Sequence, residues 1–229
     1  MTASPELSNP GKRLALVVGV NTTESEILPP LKHALADATA VAEVLQQRCG
    51  FTLFEPPLLG DQADSGSLHK SILHLARDRG PDDFLLFYFS GHGQQTSERQ
   101  RPAMRQAYLG TADFDERDVE DDPHSHHISM HWLRDVLFQS TQAGQVLIVL
   151  DCCFAEDIRT ASDHSLDALR SQLEYYFEIP GAEVKQRTAG IRAALAAARY
   201  DQPSQEAAGH GAMTNILLQV LRGEVPALL

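Results

Sequence analysis

The chain has 229 residues, 43% of them hydrophobic and 22% charged, enough for one sizeable α/β domain or two small ones around a buried core. Its formal net charge of −12 argues against nucleic acid or an anionic membrane as partner, because both reward a basic surface. Its three cysteines, of which Cys152 and Cys153 are adjacent, make no disulfide framework, and no apolar run approaches the roughly 18 residues of a membrane span. A reducing, cytoplasmic setting is expected. Residues 1–11 lack a basic-then-apolar export pattern and read as a loose polar lead-in to a single domain over 12–229.

In chain order, Arg13 to Val20 is an apolar, β-branched run that predicts a buried strand. Asn21 to Pro30 reads as a loop closed by two prolines, and Leu31 to Gln47 repeats its apolar residues at helical spacing, with Gly50 as a stop. Phe51 to Leu59 predicts a proline-interrupted strand near a sheet edge. Ser67 to Arg79 predicts a helix with Leu68, Ile72, Leu75 and Ala76 on one face, and Phe84 to Phe89 a strand buried on both faces. Gln94 to Arg105 reads as a polar loop and Ala107 to Ala112 as a short extended segment. Beyond the acidic stretch Asp113 to Asp122, Ser129 is placed to cap a helix reaching Gln139, with Leu133, Val136 and Leu137 inward. Val146 to Leu150 predicts a second doubly buried strand, and Leu166 to Phe177 a helix. Ile191 to Arg199 fits helix by its alanines and core strand by its position. His210 to Leu221 predicts a helix with Met213, Ile216, Leu217, Val220 and Leu221 facing in. Alternating strands and helices imply a three-layer α/β/α sandwich with a mostly parallel central sheet.

Chemistry gathers where the two buried strands stop. One ends at Ser90-Gly91-His92-Gly93 and the other at Asp151-Cys152-Cys153. In a parallel sheet the carboxyl ends of the strands carry the site, so His92 and Cys153 are expected on one edge. A thiol needs a lowered pKa or a base before it attacks, and His92 is the candidate base opposite Cys153. The flanking glycines let the His92 loop turn, and the N–H groups of Gly93 and Cys153 are candidates for an oxyanion hole. Cys152 reads as a small core residue. Asp151, a carboxylate closing a buried strand, calls for a cation or hydrogen-bond donors.

Ser-Gly-His-Gly and Asp-Cys-Cys after such strands resemble the caspase-like peptidases, in particular the metacaspase and orthocaspase branch. The likeness runs over roughly residues 12–223 and includes Leu31-Lys32-His33-Ala34-Leu35-Ala36-Asp37-Ala38, Tyr108-Leu109 through Asp113, and Gly211 to Leu218. It implies a cysteine endopeptidase with a His92–Cys153 dyad, and it selects Cys153 because the family's nucleophile lies two residues after the aspartate. It implies that Asp151 lines a pocket for Arg or Lys before the scissile bond, with Asp37 and Asp201 as further candidates; a structural role for Asp37 stays open. No arginine precedes the first helix near Leu31, so a preference for Asp is not expected. It also implies a large-subunit-like part over about 12–160, a linker over about 161–190 and a small-subunit-like part over about 191–229; by its loop position and basic character Arg187 is a self-cleavage candidate. Expected partners are a protein or peptide substrate with a basic residue at the cut, and a regulatory partner or fused domain, which the apolar end Leu228-Leu229 also suggests.

The chain departs from the family at Phe154-Ala155-Glu156, where a glycine is usual, which leaves an inactive interaction or scaffold module as the alternative. At the positions matching the family's calcium aspartates stand Gln106, Ala107 and Ser129, so no cofactor is expected, with calcium activation left to the acidic run. Of His124, His126, His127 and His131, only His127 and His131 are spaced to share a helix face, and a solvated histidine-rich loop is expected there rather than a metal site.

Overall fold

The computed structural model describes residues 11–95, 107–115, 117, 127–152, 190–196 and 209–224. In chain order the elements are β1 (Arg13–Gly19), α1 (Ala34–Arg48), β2 (Thr52–Leu53), β3 (Leu58–Leu59), α2 (Ser65–Ala76), β4 (Phe84–Ser90), β5 (His92–Gln95) and β6 (Ala107–Gly110). They continue as β7 (Ile128–Ser129), α3 (Met130–Arg134), β8 (Gln145–Asp151), β9 (Ile191–Ala196) and α4 (Ala212–Arg222). The chain after α3 widens into a π turn over Asp135–Ser140. The predicted helix Leu166 to Phe177 lies outside the described residues.

The central sheet has the order β2-β1-β4-β8-β9, with β3 also on β1, and every pair is parallel. Side chains alternate between its faces. Leu16, Val18, Leu85, Phe87, Phe89, Ile148 and Leu150 pack with α2 and α3 on one side. Ala15, Val17, Leu86, Tyr88 and Val149 pack with α1 and Leu218 of α4 on the other. A sheet covered on both faces explains why its three central strands read as unbroken apolar runs. A smaller antiparallel sheet, β5-β6-β7, leaves the end of β4.

Several elements differ from expectation in instructive ways. Residues 51–59 form two short pieces on β1, because Pro56 and Pro57 have no N–H for the ladder. Helix α1 starts at Ala34 rather than Leu31, and the Leu31 N–H donates to the Asn21 carbonyl at 2.7 Å. Ile191–Ala196 is strand: the parallel ladder to β8 outweighs the helix propensity of its alanines. Gln94 and Gln95 belong to β5, not to a loop. On α4, Thr214 and Leu218 are the buried residues, Met213, Leu217 and Leu221 are partly covered, and Ile216 and Val220 are exposed. The helix is rotated toward Thr214 because that hydroxyl has a buried partner on the sheet.

Gly19 sets how closely α1 lies on β1, for a Cβ there would come within 2.5 Å of the Ala34 carbonyl oxygen and 2.8 Å of the Ala38 Cβ. Gly19→Ala is expected to lower stability by about 1–3 kcal/mol, read as a lower urea midpoint with an unchanged slope.

Candidate active site

The β4–β8 ladder runs in register from Phe84↔Gln145 to Ser90↔Asp151. One residue further, the Gly91 N–H donates to the Asp151 carbonyl at 3.3 Å, and Val20 N–H donates to the Ser90 carbonyl at 2.9 Å. Three strand ends are thus tied together immediately before His92. Gly91 has to be glycine, because a Cβ would meet the Phe89 ring at 2.7 Å. His92 opens β5, opposite Gly110, so it stands on a strand and not on the loop that its flanking glycines suggested. Gly93 follows in the same strand, opposite Leu109.

His92 Nε2 lies 2.8 Å from the carbonyl oxygen of Pro29. A carbonyl only accepts, so Nε2 is the donor, and in the neutral ring Nδ1 is the nitrogen able to take a proton. The loop after β1 brings Pro29 here. Asn21 Oδ1 accepts from Leu35 N at 3.3 Å, and Ser25 Oγ accepts from Ile27 and Leu28 N at 3.2 Å. Two prolines marked the loop in the sequence, but a backbone carbonyl carries no signal of its role there.

Asp151 is 2% exposed and Asp37 is 1% exposed. Thr214 Oγ1 donates to Asp151 Oδ2. The threonine's single proton is thereby used, so Tyr88 Oη, 2.6 Å from Thr214 Oγ1, is the donor in that contact. Asp151 Oδ1 is buried and has no hydrogen-bond partner among the described residues. Asp37 Oδ1 lies 2.7 Å from His210 Nδ1, and the Gly211 N–H donates to both Asp37 oxygens at 3.2 and 3.3 Å. The first turn of α4, whose N-cap is Gly211, therefore touches both carboxylates. Burial pushes the Asp37 carboxyl above its ordinary value, the bonds from His210 and Gly211 oppose this, and the negative charge of Asp151 adds to it. Burial likewise pushes the Tyr88 hydroxyl up, keeping it a neutral donor. Of these partners, Tyr88, Thr214 and His210 were missed: each sits in a helical or strand pattern that reads as core or cap.

Cys152 is fully buried, within the core on the α2 and α3 side, as expected of a small core residue. Cys153, Asp201, Arg187, Gln106, His124 and His126 lie outside the described residues. His127 is 3% exposed and meets the Tyr108 ring edge-on at 4.3 Å, so this histidine is core rather than part of a solvated loop. Desolvation holds His131 below the usual histidine value. Asp113 accepts from Ser65 N at 2.8 Å and Ser65 Oγ at 2.7 Å, holding the start of α2. Ala107 is buried, and Ser129 caps α3 by accepting from Trp132 N at 3.2 Å. Among the described residues no three His, Cys, Asp or Glu side chains gather as a metal site.

The caspase domain of peptidase family C14 matches residues 12–228. Metacaspase-1 of Schizosaccharomyces pombe is 30% identical over 97 residues, which is 38% of this chain and 22% of that protein. Metacaspase-1A of Aspergillus terreus is 30% identical over 95 residues, 38% of this chain and 23% of that protein. The chain thus aligns with about a fifth of the length of these curated relatives. In three dimensions it resembles protein GSU0716 of Geobacter sulfurreducens, with a TM-score of 0.63 and 20% identity over 93% of this chain and 83% of that one. That likeness concerns the fold.

Thr214→Val leaves both the Asp151 carboxylate and the Tyr88 hydroxyl without their buried partner, and a loss of about 2–4 kcal/mol is expected by urea unfolding. For Asp37 the raised carboxyl value means that the protonated form is favoured in the folded state. Its contribution is complete below the unfolded value, near 4, and is lost as pH rises through the higher folded value. The stability of the native chain relative to Asp37→Asn is therefore expected to improve as pH falls from about 7 toward 4, measured by paired urea titrations.

Proposed function

Because this chain belongs to the caspase-domain family of peptidases, we propose that it is a cysteine endopeptidase that cuts proteins after Arg or Lys with His92 and Cys153 as its dyad. The observation that carries this is the Gly91 N–H bond to the Asp151 carbonyl. It joins the two strand ends one residue before His92 and two before Cys153, and neighbouring strands lie only about 4.8 Å apart. Burial of Cys152 supports its neighbour as the nucleophile.

In this mechanism His92 Nδ1 takes the Cys153 thiol proton, and the ring is steadied by the Nε2 bond to Pro29. The thiolate adds to the peptide carbonyl, whose oxyanion meets the N–H groups of Gly93 and Cys153. The C–N bond breaks as His92 returns the proton to the leaving amine. Water, activated by His92, then hydrolyses the thioester. Asp151 Oδ1, without a partner among the described residues, suits a guanidinium or ammonium group, and Asp37 adds a second buried carboxylate nearby. This reading needs no cofactor, and a reducing, cytoplasmic setting keeps the thiol available. A cut at Arg187 would free the chain between β8 and β9, and the parallel ladder of those strands would hold the two parts together.

His92→Ala is expected to lower kcat by about 10²–10⁴ on a fluorogenic arginine peptide, and Cys153→Ala to abolish turnover. Asp151→Asn is expected to reduce kcat/KM for basic peptides by roughly a hundredfold or more. The family's usual glycine is replaced at Glu156, which favours a scaffold module as the second reading. Failure of an irreversible thiol probe to label Cys153 selectively would favour that module. Intact mass after incubation, beside Cys153→Ala, tests self-cleavage: an uncut wild type removes it.

A further inference from the structure

The two buried carboxylates have unlike surroundings. Asp151 keeps one oxygen without a partner among the described residues, while the oxygens of Asp37 are engaged by His210 and by the Gly211 N–H. The His210 side chain is 22% exposed and Asp37 only 1%, so the pair links a buried charge to a rim that protons can reach. Helices α1 and α4 run side by side in the same direction, for Asp37 meets Gly211 at their starts and Cys49 Sγ lies 4.0 Å from the Leu221 carbonyl at their ends. Asp151 from β8 and Tyr88 from β4 face the pair closely enough to act on it electrostatically. On α1, His33 is the N-cap residue one turn before Asp37, after Lys32, while Glu43 and Arg48 lie further along. The charged residue of α4 is Arg222, at its far end.

Resting on the basic-residue pocket proposed above, we infer that His210 is a specificity-determining residue: it shares a proton with Asp37, and a basic substrate side chain competes with that proton. While the pair is protonated its charges cancel, and Asp151 alone attracts the substrate cation. Loss of the proton leaves a second negative charge beside Asp151. Burial of Asp37 favours keeping the proton on the pair. Affinity for a guanidinium therefore rises as pH rises through the titration of the pair, and binding expels the proton by the same linkage. One unit charge across a partly buried pocket makes the change on the order of tenfold.

The test is calorimetry of N-acetyl-arginine methylamide binding to the full chain carrying Cys153→Ala, from about pH 5.5 to 8, in two buffers of different ionisation enthalpy. The expected result is an affinity increase of about tenfold across that range with proton release on binding, both absent when His210→Asn and Asp37→Asn are added. If that variant does not fold, His210→Gln alone in the Cys153→Ala chain serves instead, and it is expected to abolish the proton release on binding. Binding without proton release, equal release in either variant, or no binding at all would each overturn the inference. Peptide turnover by the wild type is judged separately. Proton-linked binding without turnover defeats the peptidase proposal alone, and turnover with pH-independent probe binding defeats only the role of His210.

Discussion

The parallel ladder between β4 and β8 holds the site together, because everything in it is counted from that register. Ser90 opposite Asp151 puts Tyr88 and Asp151 on the sheet face covered by α1 and α4, and buries Leu150 and Cys152 toward α2 and α3. A slip of one residue would exchange those faces. The large apolar side chains on both sides make such a slip costly, so core packing and site geometry are fixed by the same constraint.

Helix α4 completes what the ladder begins. A carboxylate removed from water is unfavourable unless donors meet it, and this fold supplies them from one helical turn: the Gly211 N–H to Asp37 and the Thr214 hydroxyl to Asp151. The part of the chain most distant in sequence from β1 and α1 thereby completes the surroundings of both carboxylates. Two buried carboxylates, one with an oxygen that meets no partner among the described residues, stand close enough there to act on each other.

The edge that carries His92 is built from backbone as much as from side chains. Pro29 contributes only a carbonyl, yet that acceptor decides which nitrogen of His92 holds the proton. Gly91 contributes its N–H to the Asp151 carbonyl and the absence of a side chain, which lets β4 pass over Phe89 straight into β5. Such roles depend on position in space and not on residue chemistry.

The amino-acid sequence by itself determined the sandwich, its three buried central strands and the candidacy of His92, because hydrophobic period and strand-end chemistry are local properties. Ser129 as a helix cap and residues 51–59 as an interrupted edge were legible for the same reason. Only the tertiary structure decided that Ile191–Ala196 is a strand, that α4 turns Thr214 inward while Ile216 and Val220 stay outside, and that Asp113 holds α2. It alone joined Pro29 to His92, His210 to Asp37, and Tyr88 through Thr214 to Asp151. Those pairings link residues up to 173 positions apart, and polar contacts at that separation leave no periodic trace: they are set by which faces the hydrophobic core forces together.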